Sequence, residues 1–435
     1  MSTATAPVSF GERRGAVAIR EIRGPRWALP LGWVVTRFLM FALVTSPNAI
    51  NRLLPDLAAD GDVDVYYRAY RGIHAGHLPY VNFRYEYPPG TLLTLIPLPR
   101  GLTFDSFLLV WQLQMIAFDA LIFWAILRLG RVAGARTPAI RAAAWAWIIG
   151  GIVLTGLPLV RNDLIACCAV AWAFVFFYER KLWWAGALFG LGAVTKLWPV
   201  LILLVLLAGL RRDRVKLAAG SLVPVAITGV ALTATGTLGA CLEYLKNYHG
   251  HRPLEIESLF VRPIQLAAVL GGHRAPIDTS YGSINLAGYH ELVVVSSLAT
   301  VLITAGVLIL VFVRRGTGAS RNALVVASVC MVAASLATAK VFSPQYILWL
   351  LVVACCAGAT GALPRGWLWL AVAATALTGA EYPLWFSELI QCKASALAVL
   401  TARDVTVVAL AIGSGIVALR LLRTGTPKSL RFVAS

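Results

Sequence analysis

Charge is scarce in this sequence, and acidic charge scarcest. Asp, Glu, Lys and Arg make up 13% of the 435 residues, with 20 acids against 38 basic residues. So little charge, beside 59% hydrophobic residues and a mean hydropathy of +0.76, excludes a soluble enzyme and a disordered chain alike. Seven thinly spread cysteines build neither a disulfide framework nor a metal-ligand spacing. Cys167-Cys168 and Cys355-Cys356 lie inside apolar runs, where they read as small buried hydrophobes. Soluble domains, low-complexity tracts and short-period repeats are missing as well. A cleavable leader is not expected, because the first apolar run starts late, behind a charged tail, and is too long for a signal segment.

Long apolar runs are what the chain has instead. A membrane-spanning helix needs about 20 apolar residues to cross roughly 30 Å of hydrocarbon. About twelve such runs emerge, near 28–50, 106–127, 142–160, 164–178, 182–195, 197–210, 217–239, 290–313, 322–339, 345–363, 367–382 and 404–420. With the N-terminus inside, the inner loops collect Arg13, Arg14, Arg128, Arg131, Arg180, Lys181, Arg211, Arg212, Arg314, Arg315, Arg420 and Arg423, while the outer side is nearly neutral. That obeys the positive-inside rule, so the net charge of +18 is a topology signal and not a nucleic-acid footprint. Arg37 and Asp119 fall within spans and cancel. The expected organisation is a multi-pass, all-α cell-membrane protein with both termini cytoplasmic. Its parts are a basic tail (1–27), one transmembrane domain (28–423) and a C-terminal tail (424–435). Two long outside segments, 51–105 and 240–289, have room for extramembrane chemistry.

Polar groups that a membrane protein avoids without need gather on that outer side. The first segment carries Asp60, Asp62 and Asp64, followed by Tyr66, and then Arg84-Tyr85-Glu86-Tyr87-Pro88-Pro89. Carboxylates beside aromatic rings suit a general base near a sugar, although Asp residues also decorate solvated loops and helix N-termini. Arg161-Asn162-Asp163 and Lys196 mark turns between short spans. From Asp163 to Arg180 is ~17 residues, or ~26 Å of helix, and from Lys196 to Arg211 ~15, or ~22 Å. Both fall short of the hydrocarbon core, so these outer ends are expected below the surface, lining a cavity open to the outside. A cation snorkelling to the headgroups is the plainer alternative, as is direct pairing of Arg161 with Asp163. Arg252, Glu255 and Glu257 follow in the second segment, and Lys340 precedes Ser343-Pro344-Gln345-Tyr346. Cations converging on one cavity suit a phosphate or pyrophosphate group. His249 and His251 have no zinc-like spacing.

Six short patterns in order carry a family resemblance. They are Asp62-x-x-x-Tyr66, Tyr85-Glu86-Tyr87-Pro88-Pro89, Arg161-x-Asp163, Lys196-x-x-Pro199, Arg252-x-x-x-Ile256-Glu257-Ser258 and Lys340-x-x-Ser343-Pro344-Gln345-Tyr346. Together, from about residue 60 to about 350, the sequence resembles the actinobacterial polyprenyl-phosphate-mannose-dependent mannosyltransferases of glycosyltransferase family 87, in the GT-C superfamily. The resemblance implies a GT-C fold with interfacial helices in the outside loops, and an Asp base in the first outside loop. Spacing to the tyrosine puts that base at Asp62, with Asp60 and Asp64 as neighbouring carboxylates.

The implied reaction takes a sugar, most simply mannose, from a polyprenyl-phosphate donor to an envelope glycolipid or glycan, with inversion. Lys196, Arg252, Arg161 and Lys340 are the donor-phosphate candidates, and Asp163 is expected to orient Arg161. Asp64, Tyr66, Tyr85, Glu86, Tyr87, Asp163, Glu257 and Gln345 are the candidates for sugar or acceptor contact. No cofactor is required. Asp62-Val63-Asp64 spells the DxD of metal-dependent nucleotide-sugar enzymes, so a divalent ion is an open alternative. Rival readings are a lipid-linked sugar flippase or secondary transporter, a noncatalytic subunit, and, within the enzyme class, transfer of arabinofuranose or glucose. Inverted repeats and midplane polar residues in both halves, the marks of a transporter, are missing.

Overall fold

A computed structural model describes Pro25 and residues 27–45, 61–316 and 318–423, with the side chains of residues 61 and 62 excepted. Asp60, most of the N-terminal tail, the end of the first expected span and the C-terminal tail therefore lie outside the described residues.

Each of the twelve apolar stretches contains a helix, but the helices fall into two lengths. Six are long and apolar enough to cross a membrane: α1 (Ala28–Thr45), α3 (Phe104–Val132), α8 (Arg214–Ala234), α11 (His290–Arg314), α12 (Arg321–Thr338) and α16 (Ala394–Arg423). The other six have 11 to 17 residues: α4 (Thr137–Val153), α5 (Asp163–Tyr178), α6 (Leu182–Thr195), α7 (Pro199–Gly209), α13 (Ile347–Ala359) and α14 (Arg365–Gly379). At 1.5 Å per residue these reach only ~17–26 Å. Burial explains how such short helices persist. Nearly every residue of α5 and α13 is inside the bundle, packed against protein, so their length need not match the lipid. The long helices carry the exposed apolar surface, including Phe38, Leu222, Ile227, Val301, Leu302 and Ile309. In water such a surface would aggregate, whereas lipid covers it.

One buried charge pair crosses the bundle. Arg37 of α1 donates from Nε and Nη2 to the two oxygens of Asp119 in α3, at 2.8 and 3.0 Å, and further to the carbonyls of Ile148 and Trp147. Trp33 Nε1 donates to the same carboxylate at 2.5 Å. Both charges are thus bonded on the spot, as buried ions must be.

At one end of the bundle the long loops form a cap. The first holds helix α2 (Gly61–His74) and a 3-10 turn (Pro89–Thr94). The second holds α9 (Leu238–His251), α10 (Arg262–Leu270) and a hairpin that departs from the all-α expectation, β1 (Ile277–Ser280) with β2 (Ser283–Leu286). Ser280 faces Ser283 across the turn, and Tyr281 and Gly282 between them both have positive φ, +55° and +65°, the geometry that two-residue hairpins demand. The hairpin grips the neighbouring segment, because Ile256 N–H donates to Ile284 and Leu286 N–H to Leu254. Arginines fasten it from the other side: Arg262 and Arg403 donate to the Glu257 carbonyl at 2.7 and 2.6 Å, and Asp404 holds Arg262 at 2.7 Å. A short helix, α15 (Phe386–Ile390), lies near this cap, ahead of α16.

Candidate active site

The short helices stop below the cap, and a cavity of about 500 Å³ lies where they stop. Its lining includes Arg161, Lys196, Trp198, Tyr346 and Trp349 from the helix ends, and Glu86, Tyr87, Arg252, Glu255 and Glu257 from the loops. Length explains the depth: α5 begins at Asp163, α6 ends at Thr195 and α13 begins at Ile347, so polar turns come to lie inside the bundle.

Lys196 sits at the base of this chamber. Its Nζ donates to Asp163 Oδ1 at 2.7 Å and lies 5.5–5.9 Å from the ring centres of Tyr87, Tyr346 and Trp349. Trp349 Nε1 donates to the same Asp163 oxygen at 2.7 Å. Trp349 is in turn stacked between Tyr346, at 4.0 Å, and Trp198, at 5.4 Å. Burial lowers the Lys196 pKa from the usual lysine value, while the Asp163 carboxylate and the ring of π faces favour the charged ammonium. The hydrogen bonds of Asp163 thus orient Lys196, where the sequence led us to expect Arg161.

Arg252 faces it from the cap. Its Nη2 lies 3.4 Å from Glu255 Oε1, which also accepts from Ser343 Oγ at 2.6 Å, and its guanidinium stands over the Tyr248 ring at 5.8 Å. Burial alone would lower its pKa, but Glu255 and the nearby phenols raise it above the usual arginine value. Among the described residues, Arg252 Nε, Glu255 Oε2 and Glu257 Oε1 are buried polar atoms without a hydrogen bond. All three residues line the chamber. Burial, followed by the charges of Glu255 and Glu381, pushes the Glu257 carboxyl well above the usual range against the pull of Arg403 and Arg262. His249, on the same wall, is pushed down by burial and then by Arg252 and Lys340.

The remaining candidates are dispersed. Glu86, Tyr87, Arg161 and Gln345 line the chamber. Lys340 lies in an adjoining recess of about 330 Å³ and donates to the His249 carbonyl at 2.7 Å. Tyr66 and Tyr85 are buried beneath the wall: Tyr66 stacks on Trp111 at 4.4 Å and bonds the Tyr87 hydroxyl, and Tyr85 bonds Thr91. Asp64 pairs with Arg68 one helical turn away, at 2.9 Å, on an exposed face. Asp62 is the second residue of α2, with its side chain outside the described residues.

Sequence reasoning passed over Glu255, Tyr248, Tyr281 and Trp349 as site residues. Two of these had a local signal. Glu255 and Glu257 alternate around the buried Ile256, as extended residues on one face do, and Trp349 follows Tyr346 by three, one helical turn.

Beside the chamber lies an apolar groove of about 450 Å³, lined by residues such as Pro89, Leu92, Leu93, Trp184, Leu191 and Val194. Its rim is two residues from Lys196 along α6 and one from Pro88 in the loop, both of which line the polar chamber.

Among curated proteins none matches the chain. A comparison with protein families matches residues 85–344 to glycosyltransferase family 87, a stretch that leaves out Asp62 and takes in Lys196, Arg252, Glu255 and Glu257. With more than half its length in that match, and with the apolar helices described above, the chain belongs to glycosyltransferase family 87 and is a membrane glycosyltransferase.

Proposed function

We propose that this enzyme moves a sugar, mannose first among the candidates, from polyprenyl phosphate to an envelope glycolipid or polysaccharide on the extracytoplasmic face. The observation that carries the reading is the junction of a cationic chamber with an apolar groove. A polyprenyl-phosphate sugar has that same polarity: an anionic phosphate between a polar sugar and a long hydrocarbon tail. The tail would follow the Leu92–Val194 groove and the phosphate would meet Lys196, Arg252 and Arg161. An ammonium has three N–H donors, and Lys196 gives one of them to Asp163 in a hydrogen bond, leaving others for the phosphate.

In the proposed step Asp62 takes the proton of an acceptor hydroxyl, whose oxygen attacks the anomeric carbon from the face opposite the phosphate. A new carbon–oxygen bond forms, the bond to the phosphate oxygen breaks, and its electron pair leaves with the polyprenyl phosphate. The phosphate gains charge as the bond breaks, so cations aimed at it favour the transition state over the ground state. Asp62 has this role by its spacing to Tyr66 in the family-like pattern.

The test is transfer by purified protein in lipid, with radiolabelled polyprenyl-phosphate mannose and an envelope glycolipid extract, for wild type and Asp62→Asn in parallel. Labelled glycolipid from wild type alone supports both donor and base. Label appearing only with an arabinofuranose or glucose donor would move the enzyme within its class. No product from any of the three donors, with lipid-linked sugar crossing proteoliposomes, would replace the reading by a flippase.

A further inference from the structure

A second chamber, of about 930 Å³, lies on the other side of the wall formed by Glu86, Tyr248, Tyr281 and Gly282. These four residues line both spaces, and the wall is one side chain thick: the Tyr248 hydroxyl is 2.7 Å from Glu86 Oε2 and 2.8 Å from the Tyr281 carbonyl oxygen. We infer that this second chamber binds the acceptor glycan, as an oligosaccharide site facing the donor site across the Glu86–Tyr248 wall. The inference rests on the transferase reading above and adds where the acceptor lies and what recognises it.

Three features of the chamber fit a neutral, hydroxyl-rich chain. Its aromatic rings form a staircase: Tyr80 is 6.2 Å from Tyr244, Tyr244 stacks on Tyr248 at 5.9 Å with 20° between planes, and Tyr248 is 5.4 Å from Tyr281. Flat rings offer the C–H faces of sugar rings a large contact area at little entropic cost, and the phenol hydroxyls bond at the edge. The charges around it have mixed sign, Arg68 and Arg84 beside Glu86 and Glu243, with His251 and Asn247 among them. That balance attracts no net charge and supplies donors and acceptors for hydroxyls, in contrast to the apolar groove beside the first chamber. Its volume is at the upper end of the ~300–1,000 Å³ usual for ligand sites, which suits several sugar units better than one.

Helix register supplies the link to chemistry. Val65, Arg68 and Ala69 of α2 line the chamber, and Asp62 precedes Val65 by three, on the same helical face one turn earlier. An acceptor in the second chamber would therefore end beside the backbone position of the proposed base.

Two measurements on the purified full chain in nanodiscs test this: calorimetric binding of a water-soluble mannotrioside, and steady-state transfer with both substrates varied. Tyr244→Ala should weaken trioside binding about tenfold, the loss of ~1.4 kcal/mol, and raise the acceptor KM similarly. The donor KM should stay within about twofold. Tyr244→Phe keeps the ring and should behave as wild type, which separates the platform from general damage. Lys196→Gln, assayed below its lowered unfolding midpoint, should still bind the trioside and lose donor affinity. Wild type that binds no trioside, or Tyr244→Ala that binds it as well as wild type, overturns the assignment. Trioside binding without transfer would leave the chamber standing while the transferase reading falls. Transfer with an acceptor KM indifferent to Tyr244 would do the reverse.

Discussion

Lys196 and Asp163, 33 residues apart in the chain, meet at 2.7 Å at the base of the chamber, each from the end of a helix too short to reach the surface. Neither charge is tolerable there alone. Removing one partner of a buried pair strands the other and costs about 3–5 kcal/mol. Asp163→Ala should therefore lower the unfolding midpoint sharply, and Lys196→Met/Asp163→Ala should be more stable than Asp163→Ala by itself. Thermal unfolding in detergent, run as a double-mutant cycle, measures this, and strictly additive losses would show that the two do not depend on each other.

The two aspartates near the start of α2 should separate cleanly. Asp64 is held by Arg68 on an exposed face, where an i,i+4 pair contributes only ~0.3–0.5 kcal/mol. Asp64→Asn should accordingly keep transfer within about threefold of wild type. Asp62→Asn should lose about 100- to 10,000-fold, the worth of a positioned general base. Initial rates at saturating donor compare them, and a larger loss from Asp64→Asn would shift the base by two residues.

Glu257 gives a pH test with a definite sign. Burial and the neighbouring carboxylates Glu255 and Glu381 raise its pKa in the fold, so the native state holds a proton that the unfolded chain releases near the ordinary glutamate value of about 4.3. Where the unfolded state binds fewer protons, stability falls as pH rises, and this happens from about pH 4.3 up to the raised value in the fold. Glutamine cannot ionise and escapes the loss. Melting curves of Glu257→Gln and wild type should coincide near pH 4 and separate in favour of the variant towards pH 8. A constant gap would mean that Glu257 does not titrate differently in the fold.

What could be read from the chain was whatever is local. Charge spacing along α5 and α7 already implied helices shorter than the hydrocarbon core, and the structure has them at 16 and 11 residues, with Asp163 at the recessed start of the first and Lys196 just ahead of the second. The wall between the chambers was not legible, because Tyr248 and Glu86 are 162 residues apart and neither carries a helical or strand period that points to the other. The clamp of Arg262 on Asp404 spans 142 residues and was equally silent. The hairpin escaped because its strands are four residues each and mostly polar, too short for an alternation to register. Asp119, read only as an intramembrane charge, was matched by sign with Arg37, and the pair proves to be a direct contact.

Lys196 owes its position to the way α6 lies on α8, and glycine makes that closeness possible. A Cβ on Gly186 would stand 2.0 Å from the Leu217 carbonyl oxygen and one on Gly190 2.2 Å from that of Ser221, while one on Gly220 of α8 would meet the Trp183 oxygen at 2.0 Å. These are backbone atoms and cannot rotate aside, so a side chain must push the helices apart. Gly186 and Gly190 are four apart on one face, the small-residue spacing by which helices approach in lipid, where apolar burial gives no reason to associate and close contact must supply it. Gly190 lies six residues before Lys196, so displacing α6 also displaces the ammonium from Asp163. Gly190→Val should lower the unfolding midpoint and reduce transfer together, whereas Gly239→Val, where an added Cβ meets nothing within 4 Å, should change neither. Melting and initial-rate measurements on the two variants separate these outcomes, and a Gly190→Val enzyme of normal stability and rate would show that the α6–α8 contact does not set the position of Lys196.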